Sequence, residues 1–181
     1  SKGDFLNKFY RSGDYVVGNH SQYSRYPLSK WNLYRELSVT GTISREDAIR
    51  EIATALFKKR IDTAKDPTFA SGARDIFAAL IEAQFRYKYS EQNNASLRKF
   101  MGQLDIKKIK EYVDRYADLH WINMYMHSEG SATTQSFLSP LGSVVHDVFT
   151  AHFAEEGDFS IREALQKRGG KSIFLEYDIV N

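Results

Sequence analysis

The chain is 181 residues long, 42% hydrophobic and 27% charged, with a net charge of +2, the size and balance of one ordinary globular domain. A mean hydropathy of -0.49 and no apolar run near the roughly 18 residues of a membrane span predict that no part crosses a bilayer; the opening "SKGDFLNKFY" lacks the features of a secretory signal, so a cytoplasmic location is expected. The absence of cysteine excludes disulfides and thiolate metal sites, and so small a net charge does not by itself announce a nucleic-acid partner.

In chain order, the text from Ser1 to Leu37 is irregular, with Gly3, Gly13, Gly18, Pro27 and the tyrosine-rich "SQYSRYPLSKWNLY". It reads as loops around one short strand at Asp14 to Val17, introduced by the turn-forming "SGD". Ser44 and Asp47 then offer a cap-like start, and Ile49, Ile52, Leu56 and Phe57 recur at the spacing of one helix face, so a helix is predicted to about Ile61. Asp66 and Pro67 open the next helix, whose wide stripe of Ile76, Phe77, Leu80, Ile81 and Phe85 predicts a central, largely buried element. Gly72 and Ala73 near its start would admit another backbone.

A short helix is predicted from Ala95 to Met101, and Asp105 is placed to cap another in which Ile106, Ile109, Val113 and Tyr116 face inward while Lys107, Lys108, Lys110 and Glu111 face out. "HWINMYM" continues as a short helix near His120 to Met126. A long apolar face follows through Phe137, Leu141, Val144, Val145, Val148 and Phe149, where Pro140 predicts a kink or a break into two helices. Ser160 with Glu163 forms a capping box for the last helix, and Gly169 and Gly170 stop it.

The closing "KSIFLEYDIV", Lys171 to Val180, is a nearly unbroken apolar run of β-branched and aromatic residues, the pattern of a strand covered on both faces in a parallel sheet. Within the chain only "DYVVG" is available to pair with it, and a two-stranded sheet is marginal. The expectation is therefore a helical insertion together with the ends of an α/β domain whose other strands lie elsewhere in a longer polypeptide.

Four stretches share a resemblance. "KGDFLNKFY" resembles the "KGE" segment that follows a nucleotide-domain strand in the coupling proteins of type IV secretion and conjugation. "KWNLYREL" resembles that family's "WNP" segment, with Leu33 where proline is usual. "GARDIFAALI" resembles the helix that opens the family's all-helical domain, and "FSIREALQKRGGKSIFLEYD" resembles its "FSIRDWL…GKWLFL" return to the nucleotide domain. Asp4 departs from the usual glutamate.

The resemblance implies a mainly α fold: about six or seven helices flanked by short strands of a RecA-like α/β nucleotide-binding domain. Residues 1–43 and 169–181 would belong to that domain and 44–168 to the all-helical one. It implies a parent that is a hexameric, membrane-anchored ATPase using ATP and Mg, which passes relaxase-bound DNA or protein substrates to a secretion channel. The all-helical domain would lie on the cytoplasmic side and meet DNA or substrate complexes. The isolated piece is expected to be monomeric. It contains no "GxxxxGK[ST]" loop to cradle phosphates, so this chain is expected to be no enzyme and to hold no cofactor.

The residues themselves offer little catalysis. His120 and His127 are seven apart, His146 and His152 six apart, and His20 lies in a loop, so no metal site is predicted. Ser131, Thr133, Thr134 and Ser136, with His146 and Asp147 downstream, lack a nucleophile elbow and read as helix-capping residues.

The stronger lead is basic. Residues 1–43 and 44–119 each carry an excess of +3, against -4 for 120–181, which permits a footprint on one side of the fold. "FKKR", "FRYKY", "LRKF" and "KKIK" interleave cations with aromatics, the chemistry of single-stranded nucleic-acid binding. Lys58, Lys59, Arg60, Arg86, Lys88, Lys107, Lys108 and Lys110 are the candidate DNA- or partner-binding residues. Phe57, Phe85 and Phe100 fall where a helix buries them, so those rings are expected in the core. Tyr23, Tyr26 and Trp31 are expected to cover the gap between helices and sheet. The acidic final third, with Glu155, Glu156 and Asp158, keeps a protein-only docking module as the alternative.

Overall fold

The computed structural model describes residues 2–18, 25–39, 41, 43–88, 90–167 and 169–175. The chain forms two compact units, one built from residues 1–39, 93–95 and 149–181 and the other from 40–92 and 96–148. Among the described residues, no helix is long and apolar enough to cross a membrane.

The first unit holds the sheet. Strand β1, Tyr15–Val17, pairs in parallel with β2, Ile173–Leu175, in the register Tyr15 to Ile173 and Val17 to Leu175. The expected partner of the terminal strand is thus the observed one. Its expected cover is not: Ile173 and Phe174 are half-buried and Leu175 is 56% exposed. The remainder of the predicted strand, residues 176–180, lies outside the described residues.

Asp14, buried at the head of β1, clamps the pair. Its carboxylate accepts the Ser172 and Arg11 amides, each at 2.9 Å. On its other side β1 meets Leu28 through a single parallel bridge, with the Ser29 N–H donating to the Val16 carbonyl at 2.7 Å.

Two helices occupy the stretch expected as loop. Helix α1, Lys2–Phe9, buries Leu6 and exposes Phe5 and Phe9. Helix α2, Leu33–Ser38, is capped by Asn32, whose side chain accepts the Arg35 amide at 3.0 Å, and it buries Leu33, Tyr34 and Leu37. It packs on α8, Ile161–Gln166, in the same unit.

The capping box predicted for α8 is half present. Ser160 Oγ accepts the Glu163 amide, but the Glu163 carboxylate turns to Arg35 at 2.8 Å and Lys167 at 2.8 Å. The amides of Ile161 and Arg162 donate instead to buried Glu36, at 2.7 and 3.0 Å, so a carboxylate from α2 satisfies donors that every helix start leaves open.

The second unit is helical. Helix α3, Arg45–Thr63, starts at Ser44 as expected, with Ser44 Oγ accepting the Asp47 amide at 3.1 Å. Helix α4, Thr68–Arg86, is the centre: Ile76, Phe77, Leu80 and Ile81 are fully buried, each contributing about 1.5–3 kcal/mol of burial, and α3, α7 and α6 all pack on it. A Cβ at Gly72 would lie 2.5 Å from the Phe137 ring and 3.1 Å from that of Tyr125. The gap expected to admit a backbone therefore admits two rings, which pack against each other at a tilt of 54° with their centres 4.9 Å apart.

Helix α5, Asn94–Met101, leads to α6, Ile106–Val113, which Asp105 caps by accepting the Lys108 amide at 2.7 Å. The segment Ala117–Tyr125 is a 3-10 helix rather than an α-helix. Helix α7, Ala132–Val148, is single and runs through Pro140. The proline removes one amide bond, while Phe137, Leu138, Leu141, Val144 and Val145 are buried along the helix that packs on α4, which holds it together across the missing bond.

Candidate functional site

Capping by Asp105 fixes the phase of α6. Ile109 and Val113 are buried, Lys107 and Glu111 are exposed, and Lys110 is half-buried. Lys108 and Tyr112, four apart, share a further face. There the Tyr112 ring meets Phe100 of α5 edge-on at 4.8 Å and Tyr87, just past the end of α4, at 5.7 Å. The Arg115 guanidinium lies 4.6 Å from the Tyr87 ring centre.

The Lys108 ammonium stands 5.5 Å from the centre of the Phe100 ring and donates to Gln103 Oε1 at 3.0 Å. These groups surround a cavity of about 230 Å3 whose wall also includes Gln84 and Lys99. Burial, helped by the charge of Glu111, pushes the Tyr112 phenol above its ordinary value. Parts of "FRYKY", "LRKF" and "KKIK" therefore meet in three dimensions. Lys99, Tyr112 and Arg115 join the site beside the residues singled out from sequence. The four-residue spacing of Lys108 and Tyr112 is the signal that finds Tyr112; Lys99 on α5 and Arg115 over the Tyr87 ring are brought in by packing.

The other candidate cations are engaged differently. Lys58 on α3 pairs with Asp62 at 2.7 Å and Arg60 with Asp147 of α7 at 2.8 Å; Lys59 and Lys88 are exposed. Arg86 reaches Glu82 at 2.6 Å and Asp118 at 2.8 Å, with its guanidinium 5.3 Å from the Tyr116 ring centre. Glu82, 4% exposed, also accepts from Arg45 at 3.1 Å. Burial works to raise the Glu82 carboxyl, but the two guanidinium groups outweigh it and bring the group below its ordinary value. Phe57 and Phe100 are buried as expected, whereas Phe85 is half-buried beneath Arg45, whose guanidinium lies 5.3 Å from its ring centre.

Among the described residues, no group of three or more histidine and carboxylate side chains gathers to hold a metal; His20 is outside them. His152 instead pairs with Glu155 at 2.9 Å, and His120 contacts the Asp114 carbonyl at 3.1 Å. Thr134 lies within the first turn of α7, fully buried, and its hydroxyl accepts the His127 amide at 3.2 Å. In the tyrosine-rich stretch, Tyr26 packs on Tyr10 at 4.6 Å and Trp31 on Phe149 and Phe153 at 6.4 and 5.8 Å, all within the first unit. Tyr23 is outside the described residues.

No family model matches the chain, and no curated protein matches it. Among solved structures, it is similar to the bacterial conjugative coupling protein TrwBdeltaN70, in a trigonal form in complex with sulphate, with a TM-score of 0.65 at 19% sequence identity. The likeness covers 97% of this chain and 38% of that one. This mainly helical chain with its small parallel sheet thus has the fold of part of a bacterial conjugative coupling protein.

Proposed function

We propose that this chain is the all-helical domain of a type IV secretion coupling protein, with flanking segments of its nucleotide-binding domain, and that it recognises DNA or relaxase-bound substrates for conjugative transfer. The reading rests on a fold likeness that covers 97% of the chain, beside the four sequence resemblances. The parallel pairing of β1 with β2 supports it, since it joins segments about 160 residues apart in the way a parallel sheet requires of a long crossover. The parent is read as a hexameric, membrane-anchored ATPase whose ATP and Mg bind outside this chain.

A gel-shift titration against single- and double-stranded DNA tests the nucleic-acid half. Binding at low salt that weakens steeply as salt rises is expected; no binding at low salt counts against it. Reversing Lys107, Lys108 and Lys110 to glutamate should abolish the shift.

One observation favours the second reading, a module that docks proteins without touching DNA. Lys58, Arg60 and Arg86, three of the candidate cations, already hold carboxylates of this same chain. Pull-down of a secretion substrate that survives the triple reversal would select it.

A further inference from the structure

The cavity between α5, α6 and the end of α4 has features that neither a phosphate-tracking groove nor a small-molecule pocket shares. At about 230 Å3 it falls below the roughly 300–1,000 Å3 of small-ligand sites and suits one inserted side chain. Its aromatic groups do not present free faces. Tyr112 stands at 63° to Phe100 and at 81° to Tyr87, the edge-to-face packing of core pairs, and Phe100 is only 9% exposed. Stacking of successive bases needs open ring faces, which this arrangement withholds.

The charge around the cavity is mostly positive. Residues 94–113 carry Arg98, Lys99, Lys107, Lys108 and Lys110 against Asp105 and Glu111, and Asp105 is turned to its capping bond. Of the cations in the wall, Lys108 is held at a fixed place by Gln103 and by the Phe100 ring. Glu91, the carboxylate in the wall, is taken by the Ser96 hydroxyl. The buried amide of Gln84 adds a polar group deeper in.

We propose that this cavity is a docking site for an acidic peptide segment of a partner protein, whose one large apolar side chain enters beside Phe100 and Tyr112 while its carboxylates meet Lys99 and Lys108. It deepens the protein-docking reading above and rests on it. The complementarity is of both kinds that fix a peptide: an apolar anchor gives residence, and rim charges give register and rate.

The test is fluorescence anisotropy of a labelled peptide with a single phenylalanine among aspartate and glutamate, titrated with the 181-residue chain at low salt. Beside it run the lysine-substituted peptide, the phenylalanine-to-alanine peptide, and an oligothymidylate of equal charge. Saturable binding of the acidic peptide is expected, weakened at least about tenfold by Lys99→Glu with Lys108→Glu and severalfold by loss of the phenylalanine, with no binding of the lysine peptide.

Lys99→Glu alone, at an exposed position, should weaken binding in a chain whose helical circular dichroism is unchanged, which keeps the result independent of folding. The proposal is overturned if the acidic peptide does not bind, if its affinity ignores both reversals, if alanine serves as well as phenylalanine, or if the oligothymidylate competes at these residues with higher affinity. A secretion substrate still pulled down by the chain carrying Lys99→Glu and Lys108→Glu would overturn this cavity as the docking site while leaving protein docking itself standing, so failure here and failure of the docking reading are separable.

Discussion

Asn94 shows how much one side chain can organise. It is 0% exposed, accepts the Leu33 amide at 2.9 Å, and donates to the carbonyls of Trp31 at 2.8 Å and Phe153 at 3.0 Å. Three separate stretches of the first unit are joined at one amide group. Asn94→Ala would leave a buried donor and two acceptors without their partner, and should cost about 2–4 kcal/mol in urea unfolding; a loss under 0.5 kcal/mol would show that water replaces the amide. The same contact gives meaning to Leu33, at the position where the "WNP" segment it resembles carries proline. A proline there has no N–H, and the bond to Asn94 could not form. Gly157 belongs to this junction too, at φ +72°, because a Cβ there would come within 2.6 Å of the Trp31 carbonyl oxygen.

At the scale of elements, the start of α8 depends on two carboxylates, Glu36 of α2 and its own Glu163. Glu36→Ala removes the acceptor of two helix-start amides and of the Trp31 indole N–H at 3.2 Å, and should cost about 2 kcal/mol, measured as a fall in thermal midpoint. Glu163 is held down to about 2 from its ordinary 4.5, first by its hydrogen bond to Arg35 and then by Lys167. A carboxyl lowered in the folded state stabilises fully above its unfolded value and loses that contribution as pH falls through the folded one. The difference in thermal midpoint between the native chain and Glu163→Gln should therefore be constant above about pH 5 and vanish on approach to pH 2; a constant difference across that range would refute the pairing. Much of this was legible beforehand: Ser44, Asp105 and Ser160 announce helix starts because each is a short acceptor ahead of an apolar period. Helix α1 was not, because its Phe5 and Phe9 are exposed and no apolar stripe marks a face. Helix α2 had a signal in Asn32 ahead of Leu33, Tyr34 and Leu37, but six residues are too few for periodicity to declare itself. The acidic cap of α8 was invisible because Glu36 lies 125 residues from Ile161. Of the candidate site, the cations could be read off the chain; which of them face a cavity, and which are held by Glu82, Asp62 or Asp147, depends on packing that no local pattern carries.

For the whole molecule, the two tryptophans are natural reporters, Trp31 in the first unit and Trp121, about half exposed, in the second. In a Trp121→Phe background, the fluorescence of Trp31 follows the first unit while helical ellipticity follows mostly the second. Asn94→Ala should bring the Trp31 transition to lower urea than the ellipticity transition. Coincident transitions would mean that the two units melt as one. The chain passes between the units four times, since residues 93–95 return to the first unit midway through the second. The helical unit is consequently not a portable cassette. Excising residues 40–148 and splicing residue 39 to 149 would strip the recipient of its own fastening, and grafting that span onto a foreign scaffold would carry away a residue whose partners stay behind. Exchange of this module between related proteins has to proceed as a swap of the whole chain, or preserve an asparagine at its waist.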